Sequence, residues 1–179
     1  MKAEIIAIDG TWRRVADVAN VTVGRVAGTR EPTLTWKHKL LASEHSPIRR
    51  MSVDVLFTDL PSWVATHLTR HHVGVEKWVT TQRSDRINKN RDEIPQGALV
   101  NMVMYMNLQA VISISRKRCC DGASKETNQA WELFLAELFK VMPEMKPFCL
   151  RECEYRGGCT ETFSPCGFME MKKFDFGEA

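Results

Sequence analysis

The strongest constraint on the fold is the apolar segment at residues 99–114, which contains the sequence VNMVMYMNLQAVISI. A run of this kind has to be buried, yet it is shorter than the ~20 residues that a helix needs to cross a bilayer. We therefore expect it to form a core helix. Asn107, Val111, Ile114 and Arg118 fall at helical spacing, so they predict one stripe on this helix with a polar group at each end.

The remaining periodicities predict a small sheet and several helices around this segment. Residues 2–8 and 51–57 are typical of short strands, and residues 73–82 favour an extended segment. Helices are expected after Thr11, after Pro32, from Pro61 and over residues 124–141. A chain of 179 residues can enclose one core. The prediction is a single α+β domain with a helix-rich core and a small antiparallel sheet, built from residues 1–147, with residues 148–179 as a cysteine-rich extension packed on it.

Charge and composition exclude several classes of function. The formal net charge is +3 with 26% charged residues, a basic excess too small to indicate nucleic-acid binding. The sequence shows neither a membrane span nor the pattern of a signal peptide, so we expect a cytoplasmic protein. In that compartment the six cysteines are expected to be reduced thiols.

Four arginines flank apolar elements and are candidates for an anion pocket: Arg70, Arg83, Arg91 and Arg118. The guanidinium fork matches two oxygens of a phosphate at once, although arginines on a solvated surface would give the same composition. His67 and His71 lie four residues apart, as two ligands of one zinc ion could, but a third ligand is missing and no metal is predicted there.

The cysteines fall into two groups, a pair that follows the predicted core helix and four in the C-terminal segment. Cys119 and Cys120 follow Arg116, Lys117 and Arg118, whose charges would lower a thiol pKa and favour a nucleophile; small buried side chains are the simpler interpretation. The four tail cysteines lack the Cys-x2-Cys spacing of zinc ribbons. They are Cys149, Cys153, Cys159 and Cys166.

The order of the polar segments resembles the flavin-dependent thymidylate synthases, the ThyX family. Their signature is Arg-His-Arg, seven residues and then Ser; here Arg70-His71-His72 is followed by Thr80-Thr81-Gln82-Arg83, which looks like the family's Ser-x-Arg. Upstream lies His45-Ser46-Pro47. Downstream, Arg91-Asp92-Glu93-Ile94-Pro95 is similar to Arg-x-x-Leu-Pro and Asn107-Leu108-Gln109 to Asn-x-Arg, and Arg118 falls on the catalytic arginine. The resemblance covers about residues 43–130.

The resemblance implies an enzyme that methylates dUMP to dTMP, with methylenetetrahydrofolate as carbon donor and FAD and NADPH as reductant. It implies a homotetramer with active sites between subunits. Flavin contacts would come from Ser46, Arg70, His71, His72, Asn107, Gln109 and Ser113. Contacts to dUMP would come from His67, Arg70, Thr81, Gln82, Arg83, Arg91 and Arg118, of which Arg118 would be catalytic. No thiol nucleophile is required.

This sequence also departs from the family pattern. His72 replaces the second signature arginine, a threonine replaces the signature serine, Gln109 replaces an arginine, and Ser113 stands where an asparagine is typical. Two alternatives therefore remain beside thymidylate synthesis. One is another C5 modification of a uracil nucleotide on the same fold, and the other is a non-catalytic nucleotide-binding or metal-binding module.

Overall fold

The computed structural model describes residues 1–173, which form four strands and seven α-helices. The strands are β1 (Lys2–Asp9), β2 (Ser52–Pro61), β3 (Val75–Val79) and β4 (Leu99–Asn107). The helices are α1 (Trp12–Thr22), α2 (Leu34–Ala42), α3 (Ser62–Thr69), α4 (Ser84–Ile87), α5 (Leu108–Arg118), α6 (Lys125–Val141) and α7 (Glu152–Arg156). Short 3₁₀ turns occupy Ser46–Arg50, Arg91–Glu93 and Pro143–Phe148. The predicted α+β class is confirmed.

The prediction of one helix over residues 99–114 is wrong in its first half. Residues 99–107 form β4, in which Met102, Met104 and Met106 are fully buried while the residues between them point to the other face of the sheet. This two-residue period fits the pairing of β4 with both β2 and β3. The helix begins only at Leu108, after Asn107 accepts a hydrogen bond from Ala110 N at 2.9 Å as its N-cap.

The sheet has the order β1-β2-β4-β3 and every neighbouring pair is antiparallel. Helices α3, α5 and α6 pack together, and α3 and α6 also contact the strands. Trp131 and Phe134 of α6 are fully buried, and Phe134 meets Phe57 of β2 edge-on. The Trp131 indole donates to Ser115 Oγ at 3.0 Å, and this hydroxyl donates to Val111 O at 2.8 Å, so these two polar groups of the core are paired.

The turn between α3 and β3 is tied to the start of α5. Gly74 has φ +72°, a left-handed conformation that favours glycine, and its carbonyl accepts from Asn107 N at 3.0 Å. A Cβ at this position would collide with the Asn107 side chain. The polar residues that follow α3 therefore lie beside the junction of β4 and α5.

Residues after α6 pack back onto the end of α5. The Arg151 guanidinium donates to Cys119 O at 2.8 Å and pairs with Asp121 at 3.1 Å, while Cys149 and Cys153 are buried. The division at residue 147 stays a prediction. Among residues 1–173, no helix has the length and apolar character needed to cross a membrane.

Candidate functional site

The end of α3 brings the predicted histidines and Arg70 to the edge of the sheet. Helix α3 stops at Thr69, and Lys77 of β3 reaches over this end. Its amine donates to Thr69 O at 3.2 Å, to His71 O, and to His72 Nδ1 at 3.2 Å. One cation therefore satisfies the terminal carbonyls and fixes the turn that carries Arg70, His71 and His72.

Arg118 is the last residue of α5, and its side chain lies against this turn. Its Nε donates to His71 Nε2 at 2.9 Å and its Nη2 donates to His67 O at 2.7 Å. Asn128 of α6 donates to Arg118 O at 2.9 Å. Three helices thus hold one half-buried arginine, although no single sequence window contains the partners.

The electrostatics of this cluster keep the His71 imidazole neutral. Burial lowers the pKa of His71 to about 4, and the positive charges of Arg118 and Lys77 and the neighbouring His72 act in the same direction. The pKa of Arg118 is also lowered, first by burial and then by Arg70. Because Nε2 accepts from Arg118, the proton of the neutral ring belongs on Nδ1.

The ring of His67 faces the core rather than this cluster. Its Nδ1 lies 2.9 Å from Thr127 Oγ1 and 3.4 Å from Ser124 Oγ, and the two hydroxyls are 2.7 Å apart. The ring also meets Trp63 edge-on. His67 therefore joins α3 to the first turn of α6, and its carbonyl is the group that contacts Arg118.

A first cavity, here called the β3 cavity, has a volume of about 330 Å³ and lies between α3 and the end of β3. It brings together four residues that sequence reasoning assigned to the nucleotide: Thr81, Gln82, Arg83 and Arg91. Ser62, Thr66 and Thr69 of α3 add hydroxyl groups, a contribution that sequence reasoning missed. The polar face of α3 opposite its core residues is the signal that predicts this wall.

The arginines of the β3 cavity are held only by local contacts. The Arg83 guanidinium pairs with Asp85 through two bonds of 3.0 and 2.9 Å. The backbone of Arg91 donates to Ser84 Oγ at 3.0 Å. Both arginine side chains are exposed at the rim, where they could meet a phosphate.

A second cavity, here called the tail cavity, measures about 520 Å³ and is lined by Arg118 and His71. Arg116 and Lys117 add further positive charge to its wall. Residues of the C-terminal segment complete it: Glu152, Thr160, Glu161 and Ser164. Sequence reasoning missed these four, because only the chain's return across α5, pinned by Arg151, brings them there.

The other predicted flavin contacts lie apart from both cavities. Asn107 caps α5, and Ser113 Oγ donates to Gln109 O at 2.8 Å. The Gln109 amide donates to Glu44, which also pairs with Arg116. Ser46 is exposed at the start of the 3₁₀ turn before β2. None of these four residues lines the β3 cavity or the tail cavity.

Three of the thiols lack the low pKa that a nucleophile needs. Burial raises the pKa of Cys119 to about 11 and that of Cys149 to about 12, and it also raises the pKa of Cys120. The expectation that Arg116, Lys117 and Arg118 would lower the pKa of Cys119 or Cys120 is therefore wrong. For Cys119, Arg151 opposes the effect of burial but does not overcome it. Among residues 1–173, no three His, Cys, Asp or Glu side chains converge in a way that could hold a metal ion.

Comparison with known proteins identifies solved structures that share this fold. No family model and no curated sequence matches the chain. The structure of ThyX from Helicobacter pylori with FAD and dUMP matches with a TM-score of 0.70 at 10% identity, over 84% of this chain and 99% of that one. A second structure from Helicobacter pylori, of flavin-dependent thymidylate synthase ThyX complexed with FAD and dUMP, gives 0.69 at 11% identity over 84% and 100%.

A related likeness is to the UMP/dUMP methylase PolB from Streptomyces cacaoi bound with 5-Br dUMP, with a TM-score of 0.65 at 15% identity over 82% of this chain and 95% of that one. At such identities the likeness establishes architecture only. The order of segments in the sequence and the three-dimensional comparison agree on that architecture, and this chain has the fold of the flavin-dependent thymidylate synthases.

Proposed function

We propose that this protein is an enzyme that methylates a uracil nucleotide at carbon 5, converting dUMP to dTMP with methylenetetrahydrofolate as carbon donor and FAD and NADPH as reductant. One observation carries the proposal: the fold places a rim of two arginines, Arg83 and Arg91, and a tethered third, Arg118, beside the same helix α3. A nucleotide has the matching chemistry, since it has a phosphate at one end and a polarisable base at the other.

The β3 cavity would take the nucleotide phosphate. Arg83 and Arg91 would pair with its oxygens, and the Thr81 hydroxyl and Gln82 amide would supply neutral donors. Arg70 is exposed at the end of α3 and would lie between the two cavities as a further positive charge. His67 would contribute to substrate binding indirectly, because its carbonyl accepts a hydrogen bond from Arg118.

Arg118 would act on the base. A fixed guanidinium beside the uracil favours its N3-ionised form, because it places positive charge where negative charge develops. Positioning and electrostatics would be the chain's contribution to catalysis, since the thiols of Cys119 and Cys120, next to Arg118, are not activated.

The exposed charges after α3 fit the anionic part of FAD. Arg70 and His72 would hold its diphosphate, and His71 Nδ1, which has no hydrogen-bond partner among residues 1–173, could make a further contact. Gln109 fits less directly, because its amide is bound to Glu44 and would have to leave it. When bound, the flavin would supply the redox chemistry between NADPH and the pyrimidine.

We further propose that the active enzyme is a homotetramer with sites between subunits. The positions of Ser46, Asn107, Gln109 and Ser113 support this: none of them lines either cavity, and a flavin held jointly by two copies would not need all these groups on one chain. We also propose that residues 148–179 form an extension packed on residues 1–147; the contacts of Arg151 with Cys119 and Asp121 support this for the described part, and residues 174–179 lie outside the described residues.

A second candidate is C5 methylation of UMP rather than dUMP, favoured by the likeness to a UMP/dUMP methylase. The substrates differ by one 2′-hydroxyl. Thr66 and Thr69 of the β3 cavity offer hydroxyl groups that a 2′-hydroxyl could contact. Product mass after incubation with each nucleotide separates the two candidates.

The first experiment is the ultraviolet-visible spectrum of purified protein with and without dUMP, followed by NADPH oxidation. Flavin absorbance and oxidation that depends on dUMP are expected. Arg118→Ala should keep the flavin and lose methylation, because Arg118 would act on the base. A colourless protein that gains no flavin on reconstitution, or that carries stoichiometric zinc instead, would rule out the proposal.

A further inference from the structure

The side chain of Arg118 is held by two acceptors, one at the end of α3 and one in the turn that follows it. The bonds are Nε to His71 Nε2, 2.9 Å, and Nη2 to His67 O, 2.7 Å. The carbonyl of Arg118 is fixed in turn by Asn128 at 2.9 Å. The guanidinium is thus held at Nε and Nη2, and the backbone of the same residue is bound to α6.

This arrangement leaves part of the guanidinium available. A guanidinium has five N–H donors, and these two bonds use two of them. Arg118 lines the tail cavity, so its remaining donors are available to a ligand there. A planar fork held on one edge presents the opposite edge in one orientation, which is the geometry that a carbonyl or an ionised amide of a base requires.

We propose that His71 is a positioning residue for Arg118: its imidazole accepts the Nε–H bond and thereby sets the orientation of the guanidinium toward the base. The inference rests on the proposed function, because it takes Arg118 as the group that meets the base. It goes beyond that function, since the resemblance assigns His71 only to the flavin. His71 is not itself a catalytic residue in this scheme.

The role requires a neutral ring, and the surroundings supply one. Lys77 of β3 and His72 face His71 from one direction and Arg118 of α5 from another, while Arg70 adds charge near Arg118. Protonation would remove the lone pair on Nε2 and set an imidazolium against a guanidinium. The pKa of His71 near 4 keeps the acceptor intact at neutral pH.

Two substitutions test the role. His71→Ala removes the acceptor, whereas His71→Gln offers an amide oxygen near the position of Nε2. The ¹⁵N–¹H signal of Arg118 Nε, assigned with Arg118→Lys, should be slowly exchanging in the wild-type protein, lost in His71→Ala and retained in His71→Gln. His72→Gln, a matched change one residue away, should leave this signal in place.

Turnover gives the second measurement. His71→Ala should lower kcat about 10- to 100-fold with KM for dUMP changed less than about threefold, as expected for a misplaced catalytic group. His71→Gln should recover kcat to within about tenfold of wild type. An unchanged Arg118 signal in His71→Ala, or an effect confined to KM, would overturn the positioning role.

The two proposals fail separately. If no form of the protein methylates a nucleotide but the Arg118 signal still depends on His71, the reaction is wrong and His71 still orients Arg118. If methylation occurs and the signal is independent of His71, the reaction stands and the positioning role is wrong.

Discussion

The two arginine sites differ in how firmly the fold holds them. Arg118 is half-buried and bound through two hydrogen bonds to α3 and to the turn that follows it, with its backbone held by α6. Arg83 and Arg91 are exposed on a connection between β3 and β4 and are held by groups within eight residues of them in the chain. A charge that acts on a base needs a fixed direction, whereas a phosphate can be met by adaptable side chains.

The core beneath Arg118 gives the largest expected effect. Trp131→Ala should lower the free energy of unfolding by about 3–5 kcal/mol, because it removes a fully buried ring and leaves Ser115 Oγ without its donor. Urea unfolding measures this loss. Trp78 of β3 is 60% exposed, so Trp78→Ala should change stability by less than about 1 kcal/mol. Equal losses would mean that α6 does not anchor this side of the site.

Substitutions at the two rim arginines of the β3 cavity should weaken dUMP binding without changing the free energy of unfolding. Arg83→Ala combined with Arg91→Ala should weaken dUMP binding about 30- to 100-fold, since two charge-assisted contacts to phosphate are lost. Calorimetric titration measures the affinity, and urea unfolding should stay within about 0.5 kcal/mol of wild type. Lys89→Ala removes one positive charge from the same connection without lining the β3 cavity and should have little effect on affinity. Equal weakening by Lys89→Ala would indicate general attraction rather than a built site.

The tethered site should be recognisable by its pH dependence. Because the pKa of His71 falls from 6.5 to about 4 on folding, the unfolded chain binds this proton more readily between these values. The contribution of His71 to stability is therefore fully present above about pH 6.5 and is lost as the pH falls toward 4. The difference in unfolding free energy between wild type and His71→Gln isolates it from the carboxylates. A difference that stays constant from pH 4 to 7 would contradict the lowered pKa.

The same contrast explains what could be predicted from the sequence. Some signals lie within short windows of the sequence, such as the Thr11 cap of α1 and the alternation in β2. The residues after β3 that are proposed to contact the nucleotide are also close in sequence, and the structure brings Thr81, Arg83 and Arg91 to one cavity. The tether of Arg118 joins residues 47 and 51 positions apart. Spacing along one helix cannot indicate such partners.

Two further differences have physical causes. In residues 99–107 the alternation of β4 is masked, because half-buried Val103 and Tyr105 lie between methionines and raise the apolar content of both faces. The walls of the tail cavity escaped notice because Thr160 and Ser164 follow a segment without periodicity and are placed by contacts such as Arg151 to Cys119 O. Pairing across strands and docking of a tail depend on tertiary contacts, which a sequence window does not contain.

The smallest expected effect concerns Asp85, whose carboxylate occupies the Arg83 fork that a phosphate would use. Both side chains are more than half exposed, so the pair contributes at most about 1 kcal/mol. Asp85→Asn should therefore tighten dUMP binding by about two- to fivefold, because the phosphate no longer competes with an internal anion. Asp92→Asn changes the net charge equally within the same connection and serves as the matched control, with an expected change below twofold. Weaker binding in Asp85→Asn would show instead that the carboxylate orients Arg83 for the phosphate, and the rim would then be a second tethered site rather than an adaptable one.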